Sequence, residues 1–167
     1  MNHPIVSKNR AVISTDAIRH NYKEICRYVE EHATGKVPQV ICVVKADAYG
    51  HGVDIITDVL GEAGCRFFAL SSEREALTVR ALEAERGRVP EILILGYTFP
   101  ENVPILAENH ITCAAVSAEH ALALSKAVAE SGSEPLAIHV KLDTGMNRVG
   151  FAVTEESADE IAALSRD

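Results

Sequence analysis

Residues 40 to 52 read Val-Ile-Cys-Val-Val-Lys-Ala-Asp-Ala-Tyr-Gly-His-Gly. Five apolar residues, three of them valine, form a run suited to a strand buried on both faces. Lys45 ends that run, and Gly50 and Gly52 stand close behind to break the strand. An amine at the mouth of a core is one whose pKa desolvation can lower, which leaves it neutral and nucleophilic. That is the preparation a Schiff-base lysine needs. The structural alternative is a strand-end lysine whose stem snorkels its ammonium to water.

A second basic constellation follows the strand Leu136-Ala-Ile-His-Val-Lys-Leu142. It runs into Asp143-Thr-Gly-Met-Asn-Arg-Val-Gly-Phe151. Lys141 and Arg148 therefore belong to the C-terminal end of a strand, as Lys45 does. In parallel sheets and barrels those ends share one edge, where sites are built. Two cations converging there suit a phosphate or a carboxylate. Arg148 is the better carboxylate partner, because its fork can hold two oxygens at once. Asp143 is a competing partner for Arg148, and a solvated basic loop is the structural alternative.

The bulk properties narrow the function class. The chain has 167 residues, 47% of them apolar and 24% charged, as in ordinary globular proteins. Its net charge of −8 lacks the basic excess of a nucleic-acid groove. No apolar run is long enough to span a bilayer, and Met1 to Lys8 has no apolar signal core. These features place the chain in the cytoplasm, with no nucleic-acid or membrane partner. Cys26, Cys42, Cys65 and Cys113 are scattered without a C-x-x-C pair, so they are expected as reduced core thiols. The histidines show no zinc spacing, and no metal is expected.

The elements that must position these residues alternate along the chain. Ser14-Thr15-Asp16 offers N-caps for a helix striped by Ile18, Tyr22, Ile25 and Val29, ended by Gly35 and Pro38. After the Lys45 strand comes a helix over 54 to 62, stopped by Gly64, and then a strand over 67 to 70. Ser72 with Glu75 forms a capping-box pattern before a helix holding Leu77, Val79 and Leu82. Residues 92 to 95 are a buried-strand run closed by Gly96. Residues 101 to 109 are helical, with Pro104 in the first turn. Residues 111 to 116 are strand, Ser117 caps a helix stopped by Gly132, and 136 to 142 is the next strand. Thr154-Glu155-Glu156 opens a final helix with acids at its positive end.

Five strand–helix units without hairpin signals predict parallel strands joined by right-handed crossovers. Both an open doubly wound sheet and part of a (β/α)8 barrel fit this order. The G-x-G-x-x-G and Walker A loops of nucleotide-binding sheets are absent from the sequence. The last amphipathic segment is still running at Asp167, and five strands leave a barrel open. The expectation is an α/β fold, a partial (β/α)8 TIM-type barrel of about five βα units, truncated before closure.

Lys45-Ala-Asp-Ala-Tyr-Gly-His-Gly closely resembles the cofactor-lysine signature of the alanine racemases, usually written with asparagine where this chain has Asp47. His139-Val-Lys-Leu-Asp-Thr-Gly-Met-Asn-Arg-Val-Gly-Phe151 is similar to a second segment of the same family. There, Asn147 stands where glycine or histidine is commoner, and Val149 replaces a frequent leucine. Arg10-Ala-Val-Ile with Asp16-Ala-Ile-Arg-His-Asn21, and Leu93-Ile-Leu-Gly-Tyr-Thr, are weaker echoes. The resemblance covers the chain from Arg10 onward, so residues 1 to 167 are expected as the N-terminal part of such a barrel. The rest of the barrel and a C-terminal β-domain would lie outside it.

The resemblance implies an isomerase that interconverts L- and D-alanine with pyridoxal phosphate, supplying D-alanine for the cell wall. It implies Lys45 as the cofactor lysine and the base for the D-enantiomer, and Tyr49 as a phosphate ligand. Arg148 would orient the substrate carboxylate and the cofactor's phenolic oxygen, and Lys141 is the lysine carbamylated in many members. Carbamylation would turn Lys141 into an anion able to pair with Arg148. His51 and His139 receive no chemical role. In the family the second base is a tyrosine of the partner subunit's β-domain, so the resemblance implies a homodimer for the full-length protein and an inactive polypeptide here. The alternative reading is a pyridoxal phosphate carrier of the single-domain barrel type.

Overall fold

A computed structural model describes residues 11 to 165. The echo at Arg10 and the polar stretch from Met1 to Lys8 lie outside the described residues. Helix α1 (Thr15–His32) starts where Ser14 accepts the Ala17 amide on its hydroxyl at 3.2 Å. It stops at Ala33, whose backbone is extended, ahead of Gly35. Ile18 and Tyr22 pack on the core, whereas Ile25 is exposed.

The sheet consists of β1 (Cys42–Val43), β2 (Phe67–Leu70), β3 (Glu91–Ile94), β4 (Thr112–Ala115) and β5 (Ile138–Val140). They lie in that order, and every pairing is parallel. Between the strands run a short turn α2 (Lys45–Gly50), then α3 (Val53–Glu62), α4 (Glu73–Glu85), a 3-10 turn (Pro100–Asn102) leading into α5 (Val103–Glu108), and α6 (Ala118–Ser131). Ser72, Ser117 and Thr154 cap their helices as the sequence predicts. Gly132 ends α6 in the left-handed conformation.

The main core lies between the sheet and its helices. Val44, Phe68, Leu70, Ile92, Ile94 and Cys113 supply its sheet side. The other face carries a smaller cluster of Phe67, Ala69 and Leu93, with Leu95 packed against it. Cys65 and Cys113 are buried and Cys26 and Cys42 half-buried, all as free thiols. No helix among the described residues is long and apolar enough to cross a membrane.

Three expectations are revised. The run from Val40 to Val44 is not a strand buried on both faces. Only Cys42 and Val43 pair, Val43 is 41% exposed, and Val44 alone is fully buried. β1 is an edge strand with a neighbour on one side only, so Val43 lacks the second flank of side chains that helps to bury Phe67, Ala69 and Leu93. The strand predicted over 136 to 142 divides at Lys141. The Lys141 N–H still bonds Ala115 of β4 at 2.9 Å, while its carbonyl accepts the Phe151 amide at 2.8 Å. From there β6 (Leu142–Asp143) pairs in parallel with β7 (Phe151–Ala152), which leads into α7 (Glu155–Leu164). In α4, Leu82 is only half-buried and the inward side chain is Glu83, 1% exposed.

Glu83 is tolerated there because two arginines close on it. Arg88 Nε meets one oxygen at 2.7 Å and Arg86 Nη1 the other at 2.9 Å. Arg88 also reaches Asp58 at 2.8 Å, and Arg86 pairs with Asp54, so the network joins α3 to α4. Glu83→Gln removes the buried carboxylate that the two arginines share, leaving them only Asp54 and Asp58, and is predicted to cost about 1–3 kcal/mol. Urea unfolding checks it, and a loss within experimental error of zero would contradict this account of the network.

Candidate active site

The C-terminal ends of all five strands lie along one rim, as in any parallel sheet. Lys45 stands on that rim after β1, and Lys141 stands on it after β5, with three strands between. Side chains alternate across a strand, so Val43 lies on the side opposite Cys42 and Val44, which face the helices, and Lys45 opens the turn that follows. By the same rule Lys141 shares the side of His139, whose ring meets the edge of Phe67 with centroids 6.1 Å apart. Lys141 thus belongs to the inner, apolar face, and Lys45 stands on the rim where β1 ends.

Directly after Lys45 the chain makes a left-handed turn. Ala46, Asp47, Ala48 and Tyr49 have φ of 51, 55, 52 and 56°, with ψ between 36 and 52°. This conformation costs L-residues about 1–2 kcal/mol each. The glycines seen in the sequence come only afterwards, at positions 50 and 52. Ala48 donates to the Val44 carbonyl and Gly52 to that of Asp47, each at 3.0 Å. Asp47 Oδ1 accepts the Val53 amide at 2.7 Å and so caps α3, whose own N-cap Gly52 has no side chain. An amide oxygen could accept that bond equally well, which accounts for aspartate where the related signature carries asparagine.

The turn brings Tyr49 back toward Lys45, with Nζ 6.0 Å from the ring centroid. Tyr49 is 60% exposed and Lys45 half-buried. Lys45 makes no ion pair among the described residues. Beneath the turn, Glu75 accepts the Ala46 amide on Oε1 at 2.7 Å. The capping-box pattern flags Glu75 for its own helix, but its carboxylate reaches past Ser72 to β1.

Among the described residues no hydrogen bond or ion pair involves the Lys141 side chain, and Arg148 turns to its own loop. The Arg148 side chain is exposed, and its Nη2 donates to Met146 Sδ at 3.0 Å. Asp143 does not pair with Arg148. Its Oδ1 accepts the amides of Asn147 at 2.9 Å and Gly145 at 3.1 Å, folding the loop over its own carboxylate. Asn147 has φ of 54°, a conformation asparagine accepts better than most residues, which accounts for its place in the loop. Gly150 is required where it stands, because a Cβ there would lie 2.8 Å from Asp143 N and 2.9 Å from the Lys141 carbonyl oxygen.

The rim between the two lysines is fastened by a residue with no sequence signal. His120 is 3% exposed. Its Nδ1 accepts the Val116 amide at 3.4 Å, so Nε2 carries the proton and donates to the Thr98 carbonyl at 2.8 Å. The ring stacks on Tyr97 and joins the ends of β3 and β4.

A parallel sheet with helices on its outer face, an apolar inner face and its basic residues on the C-terminal rim is the opening portion of a (β/α)8 barrel. The chain belongs to the alanine racemase family: the profile described as "Alanine racemase, N-terminal domain" matches residues 13–167. It is 36% identical over 164 residues to the alanine racemase of Methanococcus maripaludis, covering 98% of this chain and 40% of that protein. It is 38% identical to alanine racemase 1 of Clostridium acetobutylicum, covering 93% and 38%. Among solved structures it resembles the alanine racemase of Clostridium difficile, with TM-score 0.76, 32% identity, and 90% and 37% coverage. It also resembles the histidine racemase of Leuconostoc mesenteroides, with TM-score 0.74, 31% identity, and 90% and 38% coverage. The chain thus spans about two fifths of the length of the relatives it matches.

The loop bonds from Asn147 and Gly145 hold the exposed Asp143 carboxyl below the usual carboxylate range. Its contribution to loop order is therefore complete above the ordinary aspartate value and disappears as pH falls through the depressed one. NMR titration of the Asp143 carboxyl carbon, with the Asn147 amide as a second probe, should follow one depressed midpoint. A midpoint at the ordinary aspartate value would contradict the assignment.

Proposed function

We propose that this chain is the cofactor-lysine portion of a pyridoxal phosphate-dependent amino-acid racemase. The observation that carries this reading is Lys45: a half-buried amine without an ion-pair partner among the described residues, held on the rim by a fixed turn. The surroundings suit an aromatic aldehyde cofactor. Val43, Phe67, Ala69, Leu93 and Leu95 make the inner face apolar, and the exposed Tyr49 hydroxyl is free to accept or donate to a phosphate. Residues 1 to 167 are read as the N-terminal part of the barrel.

Lys45 and Tyr49 would hold the cofactor, and Arg148 would grip the substrate carboxylate through its two-pronged guanidinium. Pyridoxal phosphate, when bound, supplies an electron-poor ring that acidifies the substrate Cα–H. The Lys45 amine then takes or returns the proton at Cα on one face. Racemisation also requires a base on the opposite face, which this reading assigns to a partner subunit in a homodimer. Lys141, as a carbamate, would lend Arg148 an anionic neighbour.

Alanine is the proposed substrate, as in the names of most of the relatives. A likeness of similar strength to a protein named histidine racemase supports leaving the choice among amino acids to residues that differ between such relatives. The protein is placed in the cytoplasm, where free amino acids and the cofactor meet.

Borohydride reduction after incubation with pyridoxal phosphate, followed by peptide mass mapping, tests the reading. The cofactor mass is expected on the peptide containing Lys45 and is expected to vanish from that peptide in Lys45→Ala. Attachment spread over surface lysines at equal yield, with none preferred at Lys45, would overturn the proposal.

A further inference from the structure

The last hydrogen-bonding positions of β1 and β2 end on one side chain. The Val44 amide donates to the Ala69 carbonyl at 2.9 Å as the final rung of the ladder. The next amide on that edge belongs to Ala46, and the left-handed turn carries it out of register with β2. Glu75 Oε1 accepts it instead, at 2.7 Å. The other oxygen, Oε2, accepts the Ser71 amide at 2.9 Å and the Ser71 hydroxyl at 2.7 Å, which terminates β2. Glu75 is itself fixed in the first turn of α4, where Ser72 Oγ accepts its amide at 3.4 Å. A carboxylate there also gains from the positive end of the helix.

We propose that Glu75 is a positioning residue for Lys45: its carboxylate, anchored to α4 and β2, sets the direction in which the lysine leaves the strand. The inference rests on the reading of Lys45 as the cofactor amine and extends it to a residue that touches neither cofactor nor substrate. Lys45 is bonded covalently to the amide that Glu75 holds. A change in that amide's orientation is a change in ψ of Lys45 and therefore alters the direction of its Cα–Cβ bond relative to the turn and Tyr49. No other side chain among the described residues bonds the Ala46 amide.

The electrostatic setting keeps the carboxylate ionised. Burial raises its affinity for a proton, but the hydrogen bonds from Ala46 and from the Ser71 hydroxyl and amide outweigh this and hold the group below the ordinary glutamate value. Asp47 and Arg74, the charged groups facing it, line the same small pocket of roughly 200 Å³, with Val44, Val53 and Leu70 as its apolar walls. The anchoring is complete above the ordinary glutamate pKa and is lost as pH falls through the depressed value.

The test combines two readouts on the full chain and its Lys45→Ala, Glu75→Ala and Glu75→Gln variants. Hydrogen exchange of the Ala46 amide reads the anchor, and borohydride capture of pyridoxal phosphate at Lys45 reads its consequence. Glu75→Ala is expected to speed exchange at Ala46, and to lower capture at Lys45, by about ten-fold or more, as loss of a charge-assisted bond implies. Glu75→Gln keeps an acceptor for Ala46 and is expected to restore most of the capture. In the wild type the Ala46 amide shift should titrate with the Glu75 carboxyl carbon, and in Glu75→Gln that component should be missing, leaving only what Asp47 contributes. Unchanged capture in Glu75→Ala, with capture in the wild type still dependent on Lys45, overturns this inference alone. Absence of Lys45-specific capture in the wild type overturns it together with the functional reading. If Glu75→Ala does not fold, the titration of the Ala46 amide in the wild type against Glu75→Gln decides, and identical profiles overturn the proposal.

Discussion

Four consecutive non-glycine residues wound left-handed are the constraint on which the site depends. An extended strand continuing past Lys45 would carry the backbone up and away from the rim. A right-handed turn would send the lysine and Tyr49 in different directions. From Ala46 to Tyr49 the chain instead takes the costly hand, and the amine and the phenol end beside each other. Such a conformation persists only when its surroundings over-determine it. Here they do: Asp47 caps α3, Ala48 is buried against the core, and Glu75 holds the first amide of the turn. The bonds lie on three different elements, so the turn cannot relax without loosening α3, α4 or the end of the β1–β2 ladder.

The same logic extends along the rim. The strand ends are fastened in pairs, by a side chain from the helix that follows the second strand of each pair. Glu75 closes β1 and β2, His120 closes β3 and β4, and Asp143 with Gly150 closes the loop after β5. Basic residues with chemical potential stand between these fastenings without being used in them. Among the described residues, Lys45, Lys141 and Arg148 are absent from the ion-pair networks, which join the helices instead. A division of labour of this kind leaves charge free for a ligand while other groups carry the backbone.

Much of the fold was legible in the sequence because period and punctuation agree. The β2 run Phe-Phe-Ala-Leu, the serine caps before α4 and α6, and the glycine stop after α6 all match local chemistry to observed structure. The parallel order followed from strand–helix alternation. What the sequence could not disclose were choices made by tertiary contact. Val40 to Val44 read as a doubly buried strand because composition does not reveal that β1 lies at the sheet edge. Glu83 was invisible inside an apparently apolar stripe, since its two arginines lie beyond the end of the helix. The left-handed turn had no glycine to announce it. Of the site residues, Lys45 and Arg148 were conspicuous by type and place. Glu75 looked like an ordinary helix cap and His120 like one more helical histidine.

The hand of the turn after Lys45 is the point to measure first. Ala46 is exposed and its side chain fills no cavity, so Ala46→Gly isolates the backbone. In a left-handed conformation, removing the Cβ relieves more than the extra unfolded-state freedom of glycine costs. Urea unfolding should then show a gain of about 0.5–1 kcal/mol. A loss of about 1 kcal/mol, as glycine causes in a right-handed helix, would contradict the account of how Lys45 is presented.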